Sequence, residues 1–134
     1  MSTKSKTIII ISGLISVLMI LAIKDLIRPM HLHLSDAGKF LQGTLPNFFA
    51  ATGLTCIIFS SIKSLQLFPN KQNAIIIYGT SLFVFAGLTL WEFVRFWFGQ
   101  IPIDYYDILM TLFGCVLTVI FLMALTKEPK QINA

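Results

Sequence analysis

The chain has 134 residues, 56% of them hydrophobic and only 12% charged, with a formal net charge of +4. Soluble domains carry about 25% charged residues, so this composition excludes an ordinary water-soluble globule, and the length excludes a second domain. The basic surplus lacks the Lys/Arg stripe with interleaved aromatics that nucleic acid binders use, and no nucleic-acid partner is expected.

A helix needs about 20 apolar residues to cross a hydrocarbon core roughly 30 Å thick. Residues 7–23, 45–62, 74–91 and 108–126 meet that length, and the last two stretches hold no charge. With their polar flanks, the expected helices cover approximately 7–23, 45–62, 74–96 and 104–126, a single membrane domain over residues 1–134. The fold class is all-α, a four-transmembrane-helix bundle.

Lys4 and Lys6 ahead of the first apolar run imitate a signal peptide. The run exceeds a signal core of roughly 7–15 residues, and Ala22-Ile23-Lys24-Asp25 offers no small-x-small cleavage site. It reads as a retained helix. The segment 24–44 that follows is long for a small bundle, and long connections tend to be functional or to hold structure of their own. Ser35 is placed to cap a helix whose Ala37, Phe40 and Leu41 share one side, which predicts a short amphipathic interfacial helix in the first outer loop. That helix acts as a lid over the bundle or a gate toward lipid. His31 and His33, two residues apart, would point to opposite sides of an extended segment, poor geometry for one metal ion.

Pro46-Asn47 is expected to begin helix two, because proline is tolerated in a first helical turn, where its missing N–H costs nothing. Asn47 brings a polar group near the acyl region, at the same leaflet as the acidic residues further on. Cys56 and Cys115 fall inside predicted spans and read as small apolar residues. The connection 63–73 is short, polar and broken by Pro69-Asn70, an ordinary turn signal.

Sidedness follows from Lys and Arg. An even number of spans puts both termini on one side, with Lys4, Lys6, Lys63, Lys71, Lys127 and Lys130 against Glu128 alone. The other side has Lys24, Arg28, Lys39 and Arg95 against Asp25, Asp36, Glu92, Asp104 and Asp107. The basic side, and with it both termini, is expected to be cytoplasmic, in a multi-pass protein of the bacterial cytoplasmic (inner) membrane.

The densest polar chemistry lies between helices three and four. Glu92 closes helix three, and Arg95 stands three residues on, on the same face. A Gly99-Gln100-Ile101-Pro102 turn follows, and Asp104 and Asp107 open helix four. Asp104 is a good N-cap, Asp107 resembles the partner of a capping box, and both favour the positive end of the helix dipole. Trp91, Trp97, Tyr105 and Tyr106 suit an interfacial aromatic belt. End-capping leaves Glu92 unexplained, since a carboxylate near the bilayer is costly unless it meets protein, water or a partner.

Glu92-x-x-Arg95, the turn, and Asp104-x-x-Asp107-x-x-x-Thr111-x-x-Gly114 together resemble the signature of VanZ-like membrane proteins. That family shows Glu-x-x-Gln, a Pro-containing turn, then Asp-x-x-Asp-x-x-x-Asn-x-x-Gly. Here Arg95 stands for Gln and Thr111 for Asn, and the Arg of the family's turn is absent, with Gln100-Ile101 in that region. The resemblance covers residues 92–114 and implies a small envelope protein linked to low-level glycopeptide (teicoplanin) resistance.

The expected ligand-binding residues are Glu92, Arg95, Gln100, Asp104, Asp107, Thr111 and Asn47, around an outward-facing polar site. Arg suits phosphate and the acids suit amine or hydroxyl groups, so the expected partners are membrane lipids and an amphiphilic or lipid-linked ligand. No cofactor is expected. One alternative is a metal-dependent membrane enzyme in which Glu92, Asp104 and Asp107 hold a hard divalent cation. Another is a small transporter acting as a homo-oligomer, with Ser12, Ser16, Gly79, Gly87 and Gly114 as close-packing positions.

Overall fold

The structure is a computed structural model that describes residues 2–30, 34–69 and 71–126. His31 and His33, along with Lys127, Glu128 and Lys130, lie outside the described residues. Among those described, four helices are long and apolar enough to cross a membrane.

The first is α1 (Thr3–Leu21), capped by Ser2, whose side chain accepts from the Ser5 N–H. It does not stop at Ile23. It runs on through a π-helical turn, Ala22–Ile27, in which the Arg28 N–H bonds the Ile23 carbonyl, and a 3₁₀ turn, Arg28–Met30. The second helix, α2, spans Asp36–Ser64, with Ser35 as its cap: the Ser35 hydroxyl accepts from the Gly38 N–H at 3.3 Å. The remaining two are α3 (Asn73–Gly99) and α4 (Tyr105–Thr126).

Two expectations are corrected in the connection between α1 and α2. Residues 36–44 are no separate interfacial helix; they are the first turns of α2. Pro46 therefore lies ten residues inside a helix that it was expected to begin. The missing N–H at 46 leaves the Gln42 carbonyl without its intrahelical donor. Arg28 supplies one: its Nη2 donates to Gln42 O and to Gly43 O, each at 3.2 Å. The proline gap is closed from another helix, so the helix need not break there.

At 29 residues and ~1.5 Å per residue, α2 is about 43 Å long, more than a hydrocarbon core of roughly 30 Å. Its first turns, with Asp36, Lys39 and Gln42 beside Ala37, Phe40 and Leu41, keep the amphipathic character read from sequence. Phe40 packs edge-on against Tyr106 in the first turn of α4, with centroids 5.3 Å apart.

α2 is the centre of the bundle and packs against α1, α4 and α3, while α1 meets α4 less extensively, near the end where Ser5 Oγ donates to Leu125 O. Two glycines permit close approach. A Cβ on Gly53 would lie 3.0 Å from Ser16 Cβ of α1, and one on Gly114 would lie 2.7 Å from the Phe48 carbonyl of α2. Ile9, Cys56, Phe59, Ile76, Ile77 and Leu122 form the core nearer the termini; Ala51, Val84 and Cys115 form a second cluster. Cys56 and Cys115 are both buried and free.

Candidate functional site

At the end of the bundle away from Ser5 and Leu125, a cleft of ≈ 350 Å³ gathers polar residues from every helix: Lys24 and Arg28, Asn47, Glu92 and Arg95, and Asp107. Gly43, Pro46 and Trp91 complete its walls. Each element has a physical reason to reach it. The π-helical turn carries α1 onward, and Lys24 and Arg28, four residues apart, share a helix face. The Arg28 bonds to Gln42 and Gly43 hold that extension against α2 beside Pro46. The close contact at Gly114 pins α4 to α2, and Asp107 lies two turns earlier on the same face of α4.

Glu92 does not close α3. The helix continues for two more turns to Gly99, and Glu92 is buried to 6% exposure. Arg95 Nη1 donates to both of its carboxylate oxygens, at 2.9 and 3.1 Å. A buried carboxylate is tolerated when a charged donor engages it, and Arg95, itself half-buried, is that donor. Asp107 Oδ1 is shut away from solvent without a hydrogen-bond partner among the described residues. Asn47 lies beside the same carboxyl group.

Four of the residues picked out from sequence thus converge: Asn47, Glu92, Arg95 and Asp107. The other three do not line the cleft. Asp104 is exposed and caps α4, its Oδ1 accepting from the N–H of Tyr106 at 2.9 Å and of Asp107 at 3.4 Å. Thr111 is buried and donates its hydroxyl to the Asp107 carbonyl at 2.8 Å. Gln100 is exposed and ends α3 in the left-handed conformation, φ 52°, with its N–H on the Phe96 carbonyl. Among the described residues no three His, Cys, Asp or Glu side chains come together as a metal-binding group, so Glu92, Asp104 and Asp107 do not form the cluster that a hard cation needs.

Lys24 and Arg28 are the members that the sequence reading left out. A signal for Arg28 was present. A proline inside a helix leaves a carbonyl in need of a donor, and a cation at the end of the preceding helix is well placed to provide it.

The arrangement is a mixed-charge recess with an excess of cations. It offers cationic N–H donors from Lys24, Arg28 and Arg95, amide N–H donors from Asn47, and the Asp107 carboxyl group. Trp91, Trp97, Tyr105 and Tyr106 are all exposed around this end of α3 and α4, where amphipathic rings favour a membrane–water boundary. Comparison with protein-family models, with curated proteins and with solved structures finds no match to this chain.

Proposed function

We propose that this chain is a VanZ-like integral membrane protein of the bacterial cell envelope that binds the headgroup of a lipid, an envelope precursor or an amphiphilic antibiotic. In this reading both termini are cytoplasmic, the cleft faces outward from the inner membrane, and the protein contributes to low-level teicoplanin tolerance by occupying or presenting such an amphiphile.

The single observation that carries the reading is the convergence of Lys24, Arg28, Arg95, Asn47 and Asp107 around one recess at the end of an otherwise apolar bundle. Ionisable groups buried inside a membrane bundle are costly and mark sites of binding or passage, and Glu92 is buried here. Passage has less support, because the buried charge sits at one end of the bundle and α1 to α4 enclose no charged residue midway. Metal-dependent catalysis has less support too, since Asp104 is engaged by backbone N–H groups and Glu92 by Arg95.

The test is lipid retention. Protein extracted from membranes is exchanged into a delipidated detergent micelle, titrated with single phospholipids, and the bound lipids are counted by native mass spectrometry. Specific binding weakened several-fold by Arg95→Gln, with the helical circular dichroism unchanged, supports the reading. Identical binding by the native protein and the Arg95→Gln variant overturns it.

A further inference from the structure

The groups in the cleft separate into those already engaged and those left over. Both oxygens of Glu92 are taken by Arg95 Nη1. One Arg28 nitrogen, Nη2, is taken by the Gln42 and Gly43 carbonyls. The Lys24 ammonium has no hydrogen bond or ion pair among the described residues, and the same holds for Arg28 Nη1 and Nε. Against these cationic donors stands the Asp107 carboxyl group, which has the Asn47 side chain beside it and whose Oδ1 makes no hydrogen bond among the described residues. The engaged groups fix the walls, and Lys24, Arg28 and Asp107 line the recess between them.

Resting on the function proposed above, we infer that the cleft is an aminophospholipid site: Lys24 and Arg28 take the phosphodiester, and Asp107 takes the ammonium. Guanidinium and ammonium groups bind phosphate oxygens through charge-assisted hydrogen bonds, roughly twice as strong as neutral ones. A carboxylate oxygen shut away without a partner gains from any N–H that reaches it. A headgroup with a phosphate at one end and an –NH₃⁺ at the other answers both. A trimethylated headgroup carries the same charges but no N–H, and leaves Asp107 unsatisfied. The acyl chains fit the setting, since the cleft opens beside Trp91 at the end of four apolar helices.

The deciding experiment titrates the intact protein, in delipidated detergent, with dioleoyl phosphatidylethanolamine and separately with its N-monomethyl, N,N-dimethyl and trimethyl (phosphatidylcholine) forms. Binding is read by native mass spectrometry and by the fluorescence of Trp91 in a Trp97→Phe background. The expected result is about tenfold tighter binding of the ethanolamine form than of the trimethyl form, with the loss falling mainly at the last methylation. Lys24→Gln weakens all four lipids, and Asp107→Asn removes the preference among them. Equal binding of the whole series, still weakened by Lys24→Gln, overturns the ammonium assignment and leaves lipid binding at the cleft standing. Binding of every lipid that Lys24→Gln and Arg95→Gln leave unchanged sinks both. Displacement by an equal concentration of soluble glycerophosphoethanolamine would move the assignment from a lipid to a free headgroup compound. The methylation series needs no substitution in the cleft, so it decides even where Asp107→Asn fails to fold.

Discussion

Arg28 completes the hydrogen bonding that Pro46 interrupts. The guanidinium at the end of the first membrane helix donates to Gln42 O and Gly43 O of the second, at the place where the proline has no N–H to give. This cross-helix repair lets α2 run unbroken from Asp36 to Ser64 and holds Lys24 and Arg28 over the cleft.

The repair is testable as a double-mutant cycle. Arg28→Ala should destabilise the fold by about 1 kcal/mol, the size of a hydrogen bond to a charged donor reduced for its exposure. Pro46→Ala restores an N–H to Gln42 O, so in that background the cost of Arg28→Ala should fall by half or more. Denaturant titration in mixed micelles, followed by circular dichroism, measures both. Strictly additive effects would show that Arg28 and Pro46 are energetically unrelated.

Glu92 and Arg95 should respond unequally. Arg95→Gln strands a buried carboxylate and is expected to cost about 3 kcal/mol, whereas Glu92→Gln leaves a half-exposed guanidinium that water can reach and costs about 1 kcal/mol. The double replacement should cost less than Arg95→Gln alone, because it removes the stranded charge. Equal single-variant costs in the same unfolding assay would show that the pair is solvated on both sides.

Gly114 and the outward glycines of α3 make opposite forecasts. Gly114→Ala sets a methyl 2.7 Å from a backbone carbonyl that cannot swing aside, so α2 and α4 must separate, at a cost of about 1–3 kcal/mol. Gly79 and Gly87 have no atoms within 4 Å of an added Cβ. Alanine at either should be neutral or stabilise by up to about 1 kcal/mol through helix propensity. Crosslinking in liposomes checks the alternative for the same two residues: if α3 is the seam of a homo-oligomer, Gly79→Ala and Gly87→Ala reduce the crosslinked dimer without reducing monomer stability.

The turn between α3 and α4 should behave as structure. Gln100 holds φ 52°, a conformation that favours glycine, so Gln100→Gly should stabilise by about 1 kcal/mol and leave lipid binding unchanged. Asp104→Ala should cost about 1 kcal/mol through the lost cap, and Asp104→Ser should recover most of it. A large loss of binding from Gln100→Gly, with the fold intact, would return Gln100 to the site.

Part of the candidate site was legible in the sequence, for reasons that differ residue by residue. Glu92 and Arg95 lie three apart on one helix, a spacing that brings side chains together whatever the tertiary packing. Asp104 was readable as an N-cap for the same local reason, and the structure uses it so. Thr111 entered through the VanZ-like spacing alone, and the structure turns its hydroxyl onto the Asp107 carbonyl one turn back. Lys24 and Arg28 were missed because nothing local to them indicates which helix they lean against.

What the sequence determined by itself is the number of apolar helices and their places along the chain, since a bilayer's thickness sets the minimum run that crosses it and every backbone group inside must be paired along the helix. It also determined the Ser35 and Asp104 caps, which depend on chain neighbours. Only the tertiary structure decided that residues 36–44 belong to α2, that Pro46 sits inside a helix, and that residues from α1 to α4 meet in one cleft. Those outcomes rest on contacts between distant segments, the Arg28 bonds and the Gly114 approach above all. Such contacts are fixed by how helices pack against one another, which the apolar run lengths leave open.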